Sequence, residues 1–344
     1  MFILALFLSI APAFTYLFIL RSMDKYDKEP LQHYMMAFLW GAIGAVLLVL
    51  FTHEFVFDIF QRIEGILGLS IIDYFGENFE AVILAPLLEE SFKAIFLIFL
   101  FYNKVFDNLT DGLVYGGAIG LGFGMTENFG YLLDVDTLGE LISLAFIRNV
   151  FTILLHAVAT GCVGAFLGEY KFKKKGTLGR AIAKGLLPAI LIHFFWNYSV
   201  VSTYFVALGI VMLLGVVIAF IIIMKKSIES ESTMILNQLH EEAANGLIPF
   251  EHVSRLSSSL RKEKYWIKEE IRNLYIETAT TLAFRKGQQE NADLYDKKVL
   301  EFEIEQLREK IRKILRYAYP GEYKQPVIEQ QPEENTKSED SKSE

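Results

Sequence analysis

Glu89-Glu90-Ser91-Phe92-Lys93 sits inside an otherwise apolar run from Ala81 to Phe101, and that placement decides how the chain is read. A helical run of this length is enough to cross a bilayer. An ionisable side chain at membrane depth costs roughly 2.5 to 3.5 kcal/mol on insertion scales, so two acids and a base need a structural or chemical reason to be there. On a helix Lys93 lies four residues after Glu89 and three after Glu90, which lets it neutralise one carboxylate while the other stays free. A buried ion pair that only fixes helix packing needs one acid, and this segment carries two.

Outward from that stretch, the chain of 344 residues is 53% hydrophobic, more than a soluble domain usually shows, and the excess lies before Lys226. Apolar runs recur at Phe2 to Leu20, 35–56, 81–101, 111–132, 147–168, 181–200 and 204–224. The expected fold is therefore all-α, a polytopic helical membrane protein of about seven transmembrane helices with a helical tail. Ala11-Pro12-Ala13 resembles a signal-peptidase site, but no basic region precedes the first run and Arg21 follows it, so that run is read as a retained helix. Lys and Arg residues mark alternate connections: Arg21, Lys25 and Lys28; Lys104; Lys171 to Lys175, Arg180 and Lys184; Lys225 and Lys226. Basic loops stay in the cytoplasm, which places the N-terminus of this integral membrane protein outside and the tail inside. The acidic 57–80 connection has room for a short amphipathic helix on the outer surface.

Three regions follow: 1–225 as the membrane domain, 226–322 as a cytoplasmic helical region and 323–344 as a disordered tail rich in Glu, Lys, Ser and Pro. In the middle region Ile267, Ile271 and Leu274, then Leu300, Ile304, Leu307, Ile311 and Ile314, recur at spacings of four and three. Two helices packed as a hairpin, a tail-mediated dimer or a cytosolic partner would each bury both stripes. The region is expected to be removable without abolishing catalysis. The net charge of -8 does not point to nucleic acid, and the single Cys162 excludes an internal disulfide or a cysteine metal cluster.

Further polar groups lie in the other apolar runs. Gly112, Gly116, Gly120 and Gly124 recur every four residues and lead into Glu127 and Asn128, so a neighbouring helix can approach closely. The next run carries Arg148, Thr152, His156 and Thr160 at four-residue spacing, and the one after it His193 and Asn197. At about 1.5 Å per residue, Glu89, Glu90, Glu127, His156 and His193 all fall roughly 8 to 14 Å from the outer helix ends, consistent with one site. Carboxylates, imidazoles and an Asn in a partly dry cavity suit peptide-bond hydrolysis. A carboxylate takes a proton from water while a metal or fixed donors stabilise the oxyanion, and a second acid paired with Lys93 keeps its orientation.

Glu89-Glu90-x-x-Lys93, Phe123-x-x-x-Glu127-x-x-x-Tyr131, His156 and His193-x-x-Trp196-Asn197 together resemble the PrsW family of bacterial intramembrane proteases, relatives of the CAAX-processing membrane proteases. The resemblance covers about residues 1–225. It implies that Glu89 and Glu90 supply the catalytic carboxylate, that Lys93, Glu127, His156 and His193 belong to the same site, and that Asn197 contributes to the oxyanion pocket. The family is described both as metalloprotease and as glutamic-type. Glu127, His156 and His193 would suit zinc with a water in the fourth position, whereas His and Asn donors around a Glu-activated water would serve without metal. It further implies a membrane-anchored protein substrate, such as an anti-sigma factor cut on its outer side. The competing classes are an ion- or proton-coupled transporter, for which no internal repeat is found, and a non-catalytic membrane scaffold.

Overall fold

A computed structural model describes residues 1–320 apart from 174, 175, 203 and 293. The 323–344 stretch expected to be disordered lies outside the described residues. Helix α1 (Phe2–Met23) leads into α2 (Leu31–Leu67), which carries a π turn at Trp40–Ala45. A short helix, α3 (Ile71–Phe75), and a π turn at Glu80–Leu84 precede α4 (Ala85–Phe101). Then come α5 (Leu109–Leu133), α6 (Leu138–Lys173, with a π turn at Arg148–Thr152), α7 (Leu178–Val201) and α8 (Val206–Ala244). Beyond them lie α9 (Phe250–Leu256), α10 (Glu269–Asn291) and α11 (Leu294–Ala318). There is no strand among the described residues.

Helices α1, α2, α6, α7 and α8 are each long and apolar enough to cross a membrane. Their outer faces expose Phe7 and Phe18, Phe51 and Phe55, Phe146, Leu187, and Val211 and Ile218, an apolar coat that water would not tolerate and lipid does. The chain is a polytopic helical membrane protein. α4 and α5 carry the charges and the glycines, and both are covered by neighbours: α5 is buried at every residue from Thr110 to Gly124. The connection expected to begin near residue 57 is largely helical, because α2 runs on to Leu67, where Gly68 at φ 63° ends it. The amphipathic helix expected there is α3, which sets Phe75 edge-on against Phe194 and Tyr198 of α7.

The glycine face of α5 receives α6. A Cβ on Gly112 would collide with the carbonyl of Gly164, and one on Gly120 with the carbonyl of His156. Backbone therefore lies against backbone, and the approach sets how far His156 stands from α5. Helix α6 is one continuous element from Leu138, so the apolar run read from 147 is preceded by about three further helical turns.

Helix α8 has 39 residues, about 58 Å at the α-helical rise, roughly twice the thickness of a bilayer core. Phe220, Met224 and Ile228 join the membrane core, while Ile235, Leu239 and Ala243 join a second core with α9, α10 and α11. In that second core Ile267, Ile304, Ile311 and Ile314 are buried, so the two apolar stripes meet each other and α8 within one chain, whereas Leu274 stays exposed. This unit grips the membrane domain through its loops. Arg261 donates to the carbonyls of Lys25 and Tyr26 at 2.8 and 2.7 Å, the Tyr26 hydroxyl donates to the Ser257 carbonyl at 3.0 Å, and Arg285 pairs with Asp107 at 3.0 Å.

Candidate active site

Helix α4 puts Glu89, Glu90 and Lys93 on one buried face, since spacings of three and four return to the same side of a helix. The Lys93 ammonium is wholly enclosed and lies 2.8 Å from Glu90 Oε1, 3.3 Å from Glu89 Oε2 and 2.9 Å from His156 Nδ1. It also rests 3.8 Å from the centroid of the Phe123 ring. An ammonium has three N–H donors and no acceptor, so each donor has one partner here and His156 Nδ1 must present its lone pair. The imidazole proton is then on Nε2, which donates to Glu127 Oε2 at 2.5 Å.

Glu90 is the most tightly held acid. Its Oε1 faces Lys93 and accepts from His193 Nδ1 at 3.0 Å, and its Oε2 accepts from the Thr160 hydroxyl at 3.2 Å. Glu89 is held through Oε2 alone, by Lys93 and by His193 at 3.9 Å, and its Oε1 has no partner among the described residues. The two imidazoles meet edge to face with centroids 5.0 Å apart. With both neutral, three carboxylates (Glu89, Glu90, Glu127) stand against two cations (Lys93, Arg148), and the enclosed site carries a formal charge of -1. Such a site attracts a cation or a polarised water and expels apolar groups.

The expected residues divide into those that converge and those that stand behind. Glu89, Glu90, His156 and His193 each offer one ligand atom, and these four atoms lie within 4.8 Å of one another, a group that could hold a metal ion. The donor chemistry fits zinc, which takes imidazole nitrogen and carboxylate oxygen; three of the four residues, Glu89, Glu90 and His156, already face the Lys93 ammonium as a cation. Glu127, expected as the third ligand with His156 and His193, lies on the Nε2 side of the His156 ring, between Nε2 and the Arg148 guanidinium 3.0 Å away, and is outside that group of four. Asn197, expected in an oxyanion pocket, donates to the Ala81 carbonyl at 2.7 Å and so ties α7 to the π turn before α4.

Three contributors were named from the sequence without a role in the site. Thr160 and Arg148 belong to the polar stripe on α6, which was visible as a pattern without a role. Asn128 accepts from Arg148 Nε at 2.9 Å and donates to Asn149 Oδ1 at 3.2 Å, and its only sequence signal is its position beside Glu127. The site lies far from the α8–α11 unit. Counted from the helix ends nearest that unit, Glu89 is roughly 18 Å and His193 roughly 23 Å along its helix.

The family model described as PrsW family intramembrane metalloprotease matches residues 29–224, which include every residue of this site. Curated relatives named Protease PrsW come from Clostridioides difficile (strain 630), 28% identical over 200 residues, 57% of this chain and 79% of that one; from Bacillus subtilis (strain 168), 28% identical over 185 residues, 54% and 77%; and from Oceanobacillus iheyensis, 30% identical over 194 residues, 55% and 79%. No solved structure matches the chain.

Proposed function

This chain belongs to the PrsW family of intramembrane metalloproteases and is a peptidase, and we propose that it cuts a membrane-anchored protein with Glu89 as the general base. The observation that carries the assignment is the inequality of the two acids. Every oxygen of Glu90 is committed to Lys93, His193 or Thr160, whereas Glu89 keeps Oε1 open. A base must reach a water, so the open carboxylate does the chemistry and the committed one orients its neighbours.

In the cycle, Glu89 takes a proton from a water that attacks the scissile carbonyl, then returns it to the departing amine. Lys93, its three N–H donors spent on Glu90, Glu89 and His156, holds Glu89 through Oε2 and so leaves Oε1 for the water. Glu90, His156 and His193 would hold zinc in place of their present hydrogen bonds to one another and to Lys93, leaving Glu89 free as base. When bound, the metal supplies a Lewis acid for the carbonyl oxygen and a more acidic water. The buried Phe123 ring, packed on Lys93 and His156, keeps competing water out on that side.

The site is proposed to lie in the outer half of the membrane, with the N-terminus outside and the α8–α11 unit in the cytoplasm. Support comes from the basic connections, since the loop with Lys25 and Lys28, the loop with Lys104, and Lys171 all gather at the end where that unit docks. A substrate of the anti-sigma-factor type, cut on its outer side, fits this placement. The test is co-reconstitution in liposomes with single-span reporter proteins tagged on both sides of the span. Cleavage by the wild-type chain that Glu89→Gln abolishes supports the reading; cleavage by Glu89→Gln at the wild-type rate defeats it.

A further inference from the structure

Helix α6 changes pitch next to the site. In an unbroken α-helix Arg148 and His156, eight residues apart, would diverge by about 80° around the axis. The π turn at Arg148–Thr152 accommodates an extra residue and takes out most of that divergence, so both side chains face α5. They reach the two oxygens of one carboxylate: Arg148 lies 3.0 Å from Glu127 Oε1, and His156 Nε2 lies 2.5 Å from Glu127 Oε2. Arg148 is itself held on three sides. Its Nε donates to Asn128 Oδ1 at 2.9 Å, its guanidinium stacks 3.7 Å from the centroid of Tyr131, and it is 9% exposed. Asn128 continues through Asn149 to the Leu8 carbonyl of α1 at 2.9 Å.

We infer that Arg148 is a positioning residue for the peptidase reaction, acting through Glu127 on His156. A planar guanidinium braced by Asn128 and Tyr131 fixes the carboxylate in one rotamer. That carboxylate accepts a hydrogen bond from the Nε2–H of His156 and so leaves Nδ1 as the lone pair facing Lys93 and the acids of α4. Without Arg148, Glu127 loses the ion pair at Oε1 and is free to turn away from the imidazole. Arg148 touches neither Glu89 nor Glu90, so its influence on them runs through the ring.

The inference rests on the peptidase reading of this site, but its first measurement does not depend on cleavage. With selective 15N-histidine labelling only six side chains report, and the His156 signals are those lost in His156→Gln. In wild-type protein in detergent, the His156 Nε2 proton should appear as a protected downfield resonance. Arg148→Met should broaden it into exchange with water, Glu127→Gln should shift it, and Arg148→Met added to Glu127→Gln should change it no further. Should Arg148→Met not fold, Arg148→Gln, which keeps a donor for Asn128, carries the same expectation. On the reporter substrate, kcat should fall roughly 10- to 100-fold in Arg148→Met with KM unchanged, the usual scale for a partner behind a site residue. Arg148→Lys should recover part of that loss. An unchanged His156 resonance in a folded Arg148→Met protein overturns the inference, as does a rate loss that simply multiplies with that of Glu127→Gln. If the resonances respond as expected but neither Glu89→Gln nor any Arg148 variant alters cleavage, Arg148 still places His156, and its role in the peptidase reaction falls together with the peptidase assignment of the site.

Discussion

Replacing the two adjacent acids one at a time should separate chemistry from architecture. Glu89→Gln keeps size and polarity and removes the base. General-base catalysis is worth about 10²- to 10⁴-fold, so cleavage should fall at least a hundredfold. Its effect on folding should be small, because Glu89 contributes one 3.3 Å contact to Lys93 and one oxygen that no described residue engages. Glu90→Gln is a different perturbation. Glu90 is fully buried and bonded to Lys93, His193 and Thr160 at 2.8, 3.0 and 3.2 Å. Gln places an amide where one of two donors now points and leaves the Lys93 charge with only the longer contact to Glu89. Breaking a buried pair by removing one partner costs about 3 to 5 kcal/mol. The assay is thermal unfolding in detergent beside cleavage of the tagged reporter in liposomes. Glu89→Gln should melt near wild type and be inactive; Glu90→Gln should melt well below both. The reverse order of stabilities, with Glu90→Gln melting like wild type, would refute the division of roles.

Metal analysis of purified protein should separate the two candidate ligand sets: Glu90→Ala and His193→Ala should lose bound zinc, while Glu127→Gln should retain most of it at a lower rate of cleavage. A strong chelator should then remove activity that added zinc restores; full activity in metal-free protein would leave the Glu-activated water acting alone. Gly120→Ala drives a methyl into the His156 carbonyl, so it should cost about 1 to 3 kcal/mol of stability and lower cleavage by displacing the ring, measured as a melting shift together with rate. At the loop under the α8–α11 unit, burial first and then the neighbouring Asp27 push Asp24 up to about 7, and burial with the neighbouring Asp107 pushes Asp27 up to about 6. The folded state therefore holds protons that the unfolded chain releases, and stability should be greatest near pH 4 and fall as pH rises toward 7, by on the order of 4 kcal/mol for Asp24. Asp24→Asn should flatten that slope in melting curves taken from pH 5 to 7.5. Removing residues after 226 should leave insertion and cleavage intact, since no site residue lies beyond Asn197; loss of cleavage in a normally inserted truncation would make the docked unit part of the catalytic machinery.

The membrane character, the helical class and the cast of polar residues were all legible in the one-dimensional sequence, because each depends on local facts. Twenty apolar residues need a bilayer or a core, and a spacing of three or four on a helix brings Lys93 to Glu89 and Glu90 whatever surrounds it. The convergence of His156 and His193 on that face was legible too, through equal depth. What depth does not contain is rotation about each helix axis, and tertiary packing decided it. The glycine face of α5 lets α6 come close enough for backbone to meet backbone at Gly120 and His156, and that contact orients Glu127 toward Nε2 while Glu90 takes the side facing Nδ1. The four-residue stripe from Arg148 to Thr160 would drift around an ideal helix by about 40° at each step, and only the π turn brings its first member back over the site. Asn197 went to the Ala81 carbonyl because the π turn sends the Ala85 N–H to the Glu80 carbonyl and Pro86 has no N–H to offer, a combination that residue spacing alone does not announce.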